Sequence, residues 1–230
     1  MLVFRENIFM GIVSMSEPVK ILYRGGTAEI IEKKSRFIAD TAPVETEAEA
    51  AAFLEGIRKK YWDCRHHCSA YVIGDKAELT RCSDDGEPAG TAGRPILDML
   101  LGSGIRNVCV VVSRYFGGTL LGTGGLVRAY SQAARAGLEA SQVIEKLTGR
   151  EVSVSCGYDM IGKLQYICAG LGLSETGSDY GETVKLSYLV PEEKLGQFRA
   201  RVTEATAGRA VISESDLLEF AFADGDAVLF

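Results

Sequence analysis

From Leu147 to Phe220 the apolar residues switch period in a way that few folds can satisfy. Leu147 to Cys156 alternates, with Val152 and Val154 set against Ser153 and Ser155, which is the period of a half-buried strand. Asp159 to Leu171 follows at helical spacing (Ile161, Leu164, Ile167, Cys168), with Asp159 as the expected N-cap and Gly170 and Gly172 closing it. Leu173–Tyr180 and Glu182–Val190 read as a hairpin around Gly181. Pro191 to Thr206 is a second helix with Pro191 at its start and Leu195, Phe198, Val202 and Ala205 inward. Arg209 to Phe220 returns as a strand. The order β-α-β-β-α-β is the ferredoxin-like motif, a scaffold that serves many roles and implies no function by itself.

A second stretch, Asn107 to Ala140, sets a different problem. An apolar strand, Val108 to Val112, runs into Ser113-Arg114-Tyr115-Phe116, then a loop holding Gly117, Gly118, Gly122, Gly124 and Gly125. A helix is expected from Leu126 to Ala140. Glycines let backbone approach a ligand closely, and N–H groups at a helix start favour an anion; Arg114 and Arg128 flank the loop. A tightly packed loop accounts for the glycines equally well. No Gly-Lys-Ser/Thr occurs in the chain, which excludes a P-loop. Counting on from Gly122 and Gly124, the third position of a dinucleotide fingerprint is Val127, which excludes that too.

The 230 residues suffice for one large domain or two ordinary ones, and 47% hydrophobic with 24% charged residues is globular composition. No apolar run has the length of a membrane span. The leader Met1 to Ser16 mixes apolar residues with Arg5, Glu6 and Asn7, unlike a signal peptide, so a cytoplasmic protein with no membrane partner is expected. Met15 is an alternative start, which leaves the first fourteen residues as an extension. Six cysteines without disulfide-like spacing are expected reduced, Cys109 and Cys168 as buried thiols. The net charge of −6 is uneven: residues 1–140 hold 17 Lys+Arg against 17 Asp+Glu, and residues 141–230 hold 8 against 14. Contact with nucleic acid therefore belongs to the first part.

Within that part, Thr27 to Ala42 reads as two strands joined at Lys33-Lys34-Ser35-Arg36, a basic cluster that is either a solvated turn or an anion-binding face. Thr46 to Tyr61 is a helix with a Thr46/Glu49 capping box. Cys64, His66, His67 and Cys68 lack the second, separated ligand pair that zinc requires, so His67 is kept as a polar site residue. Ser69–Ile73 and Ala77–Cys82 form a hairpin. Ser83 to Gly93 carries Asp84, Asp85 and Glu87, a candidate hard-cation site, or else a polar turn before a helix from Pro95 with Thr91 as N-cap.

Ser83-Asp84-Asp85-Gly86-Glu87-Pro88, Gly90-Thr91-Ala92-Gly93, Arg114-Tyr115-Phe116-Gly117-Gly118 and Leu121 to Tyr130 together resemble the IMPACT family in its bacterial YigZ-like form. Ser35-Arg36-Phe37 and the His67 segment fit the same pattern, and the likeness covers roughly Ala28 to Phe230. The resemblance implies an α+β protein of two domains: residues 17–142, similar to domain IV of translation elongation factor G, and a ferredoxin-like domain over 147–230. It also implies an association with translational control. Eukaryotic members restrain a starvation-responsive kinase through an extra N-terminal domain; only a short leader precedes the match here, so that role does not transfer.

The leading expectation is a translation-associated regulatory protein that binds RNA, the ribosome or another anionic partner without catalysis. Lys34, Arg36, Arg114 and Arg128 would contact phosphates, Tyr115 and Phe116 would stack, and the loop glycines would cradle the anion. One alternative is an enzyme acting on a phosphorylated small molecule. Asp84, Asp85 and Glu87 would then hold a magnesium-type cation or supply a base, with His67 carrying protons. Another is a protein-interaction module whose acidic C-terminal domain docks on a basic partner. No cofactor other than that cation is expected.

Overall fold

The computed structural model describes residues 18–230; the leader and the start at Met15 lie outside them. The chain divides into two compact units, one built on residues 19–146 with 221–228, the other on residues 147–220 with 229–230.

The first unit opens with β1 (Val19–Arg24), β2 (Thr27–Glu32) and β3 (Ser35–Pro43), then α1 (Glu47–Lys60), β4 (His66–Ile73), β5 (Leu79–Ser83), α2 (Gly93–Ser103), β6 (Val108–Tyr115) and α3 (Thr123–Glu139). Five strands form one antiparallel sheet in the order β2-β3-β6-β4-β5. Sequence patterning explains the layers. On β6, Val108, Val110 and Val112 join the core under α2 and α3 with Ile96, Leu100, Ala129 and Tyr130. Cys109 and Val111 face the opposite way, against Ala50 and Ile57 of α1. With both faces covered, the strand is apolar throughout rather than alternating. Phe37 meets Tyr130 edge-to-face, 5.1 Å between centroids at 88°, a geometry worth about 0.5–1.5 kcal/mol beyond burial. Thr46 caps α1 as its sequence predicts, its Oγ1 accepting from the Glu49 N–H.

β7 (Gln142–Cys156) is a single fifteen-residue strand. It runs unbroken through residues 143–146, between the two domains expected from sequence. Residues 142–146 pair with β1, and 147–156 belong to the second unit. That unit continues with a 3₁₀ turn (Tyr158–Met160), α4 (Ile161–Leu171), β8 (Glu175–Tyr180), β9 (Val184–Pro191), α5 (Glu192–Ala205), β10 (Val211–Glu214) and the first three residues of β11 (Leu218–Ala223). Its strands lie in the order β10-β7-β9-β8, all antiparallel, the ferredoxin-like arrangement expected from sequence. Two details differ. Asp159 falls in the 3₁₀ turn and α4 starts at Ile161 without a side-chain cap. The segment expected as one strand from Arg209 to Phe220 is two, because Ser215 leaves the ladder and its Oγ accepts from the Glu151 N–H. A last strand, β12 (Asp226–Leu229), follows. No described helix is long and apolar enough to cross a membrane.

Candidate functional site

The acidic segment between β5 and α2 resolves into three separate roles. Asp84 Oδ1 accepts from the Ala92 and Gly93 N–H groups (3.0 and 2.8 Å) and Oδ2 from Gly90 N–H (2.8 Å). Asp84 thereby does for α2 what Thr91 was expected to do; Thr91 Oγ1 instead donates to the Pro88 carbonyl, and the N-cap position is Ala92. Burial works against the Asp84 charge, but the backbone donors outweigh it and hold the carboxyl below its ordinary pKa. Asp85 Oδ2 accepts from His67 N–H (2.7 Å) and Oδ1 from Arg58 Nη2 (3.1 Å). Glu87 Oε1 accepts from Arg114 Nη1 (2.6 Å) and from the Tyr130 hydroxyl (2.8 Å). Each carboxylate has its own partners, and among the described residues no three His, Cys, Asp or Glu side chains are grouped to hold a metal ion.

The Glu87–Arg114 pair is buried, with side chains 4% and 8% exposed. Removing one member of such a pair strands the other charge, at a cost of about 3–5 kcal/mol. Arg114 follows the inward parity of Val108, Val110 and Val112, between the rings of Phe37 and Phe116 at 5.5 and 5.6 Å. Its charge is thus committed to Glu87 rather than offered to solvent. His67 lies on the opposite sheet face, buried, its Nδ1 2.9 Å from Ser113 Oγ. Burial lowers its pKa, with Asp85 opposing that shift. A serine–histidine pair at this distance resembles a nucleophile and base, but Ser113 is fully buried and is no accessible nucleophile. All six cysteines are free.

The glycine loop is where surface chemistry gathers. Gly117 packs on the β2–β3 turn: a Cβ there would fall 2.0 Å from the Lys34 carbonyl carbon, and its N–H donates to Ser35 Oγ (3.1 Å). Gly125 lies against Leu121, while Gly118, Gly122 and Gly124 border open space apart from Arg128, 3.8 Å from a Cβ at Gly124. Gly122, at φ +73°, is the N-cap of α3, whose first N–H groups have no side-chain cap. Beside the loop, Lys33 and Lys34 occupy positive φ in the turn and are exposed. Arg36 is bound bidentately by Glu29 (2.7 and 2.9 Å) and lies 5.3 Å from the Tyr115 ring centre. The Tyr115 hydroxyl donates to Asp63 Oδ1 (2.7 Å). A cleft of about 450 Å³ opens here, lined by Asp63, Arg65, His66, Arg114, Tyr115, Phe116 and Leu120.

Of the residues singled out from sequence, Lys34, Tyr115, Phe116, Gly117 and Gly118 come together here, with Gly122, Gly124, Gly125 and Arg128 at the adjoining helix start. Arg36 is held in an ion pair, and Arg114, His67, Asp84, Asp85 and Glu87 are built into the fold. Sequence reasoning missed Trp62, Asp63, Arg65 and Leu120. The one available signal was Trp62, the chain's only tryptophan, placed where α1 ends and 83% exposed.

An antiparallel sheet covered by helices on both faces, followed by a ferredoxin-like unit, defines a two-domain α+β protein with a loop-built surface site. The sequence pattern of the Impact N-terminal domain matches residues 33–138, and that of a domain of unknown function, DUF1949, matches residues 154–209. The chain belongs to the IMPACT family. It is 39% identical to the family member YvyE of Bacillus subtilis over 192 residues, 84% of this chain and 88% of that protein. It is 39% identical to YigZ of Escherichia coli over 178 residues, 76% and 87% of the two chains. A crystal structure described as that of a hypothetical protein superposes with a TM-score of 0.56 at 36% identity, covering 86% of this chain and 97% of that one.

Proposed function

We propose that this chain is a translation-associated regulatory protein that binds single-stranded RNA at the glycine-loop end of its first unit. Membership of the IMPACT family supports the association with translation. The observation that carries the RNA reading is a set of cations without ion-pair partners among the described residues. Lys33, Lys34, Arg65 and Arg128 are exposed and uncompensated, beside exposed Trp62 and Phe116. Uncompensated cations supply the phosphate term of binding, and exposed aromatic faces supply sequence-tolerant stacking. The uncapped start of α3 adds N–H groups for one phosphate. The chain's overall negative charge confines the contact to this patch. Filter retention of ribosomal or transfer RNA at low salt, falling at moderate salt, is the expected result. No retention even at low salt would sink the proposal.

A further inference from the structure

The cleft beside the glycine loop has a composition that phosphate binding alone does not require. Phosphate sites are lined by donors, yet this one contains an unneutralised carboxylate. Asp63 forms no ion pair among the described residues; Oδ1 accepts from Tyr115, and Oδ2 has no partner. Burial and the neighbouring Asp63 push the Tyr115 phenol up to about 12, so it remains a donor and fixes the carboxylate. His66 Nδ1 is 2.9 Å from the Asp85 carbonyl oxygen. That oxygen only accepts, so Nδ1 carries the proton, the tautomer in which Nε2 is an acceptor. Phe116, 58% exposed, offers a ring face, and Arg65 a free cation.

A flat aromatic face, a fixed carboxylate with Oδ2 open and a second lone pair left on Oδ1, another ring acceptor and a free cation together describe a nucleobase site. The bases differ in what they present along the Watson–Crick edge. Adenine and cytosine each place one donor beside an acceptor, and uracil places one donor between two acceptors. Guanine alone presents two adjacent donors, N1–H and N2–H, next to the O6 acceptor. We propose that the Asp63–His66–Phe116 cleft is a guanine site, with the carboxylate on the N1/N2 edge, Phe116 on the ring face and Arg65 on O6 or the adjoining phosphate. The inference rests on the RNA reading for the polymer, while the same chemistry takes a free guanine nucleotide.

Trp62 makes the test direct: as the sole tryptophan, next to Asp63 and exposed, it reports binding by its own fluorescence. The full chain is titrated with GMP, IMP, AMP, CMP and UMP. It is then titrated with single-stranded oligonucleotides carrying one guanine or one adenine in a uridine background. A bidentate base contact predicts about tenfold preference for GMP over AMP, CMP and UMP. IMP, which lacks N2–H, falls between, and Asp63→Asn removes the preference without unfolding, since Asp63 is at the surface. Guanine preference in the oligonucleotides alone places the site on RNA. Guanine preference in mononucleotides without RNA retention upholds the site and overturns the RNA reading. RNA retention with equal affinity for all bases overturns the site and leaves the RNA reading standing. Binding of neither overturns both.

Discussion

His67 and Glu87 lie on opposite faces of one sheet and show how polar residues near a site can belong to the fold. Glu87 balances Arg114 and receives the Tyr130 hydroxyl, whose pKa burial drives upward so that it stays a donor. His67 is neutral for the same physical reason: burial penalises its charged form. The consequence for stability has a definite sign. The unfolded chain takes up a proton on His67 near pH 6.5, while the folded chain resists it, so the unfolded state binds more protons below that pH. Stability is therefore unaffected by this group above about pH 7.5 and declines as pH falls through about 6.5. The shifted carboxyls of Asp84, Glu29 and Glu214 act only lower, since their folded pKa values lie below the ordinary carboxylate range. The urea midpoint is expected to drop between pH 7.5 and 5.5 in the native protein and to stay nearly level in His67→Gln. Equal drops in both would show that another group carries the effect.

The elements were legible in proportion to how local their signals are. α1 carries its cap in its own sequence, with Thr46 and Glu49 three residues apart, and the ferredoxin-like order follows from alternating periods that each strand and helix contains. The start of α2 departs from the sequence expectation because its cap, Asp84, lies eight and nine residues ahead of the amides it receives, a separation that only the folded loop brings to 3.0 and 2.8 Å. The direction of Arg114 was hidden for a different reason. Val108 to Val112 is buried on both faces, so the run gives no parity from which to tell inward from outward. Trp62 and Arg65 lie between α1 and β4, where no periodicity applies. Glycines were likewise indistinguishable by sequence, yet two of them should behave oppositely. A Cβ at Gly117 meets the Lys34 backbone at 2.0 Å, so Gly117→Ala is expected to cost about 1–3 kcal/mol and to displace the Lys33–Lys34 turn. Gly124 is in the first turn of α3 with open space around it, so Gly124→Ala should be neutral or stabilise by up to about 1 kcal/mol. Urea titration of the two variants separates these cases, and equal losses would contradict the packing described for Gly117.

At the scale of the molecule, charge and exposure point to one end of the first unit. The second unit holds most of the excess acid, including an edge strand, β8, exposed along its whole length and carrying Glu175 and Asp179. In the first unit Lys33, Lys34, Arg65 and Arg128 are exposed cations without an ion-pair partner among the described residues, and Trp62 and Phe116 are exposed rings. A site of this kind has a thermodynamic signature that no structural role of the same residues would produce. Each phosphate neutralised on a single strand contributes about −0.7 to the slope of log affinity against log salt. The decisive measurement is that slope for a single-stranded RNA with the native chain and with Lys34→Ala/Arg65→Ala. Loss of two phosphate contacts predicts a slope shallower by about 1.4, with the variant as stable to urea as the native protein. An unchanged slope, or binding that does not respond to salt, would contradict the assignment of this surface to RNA.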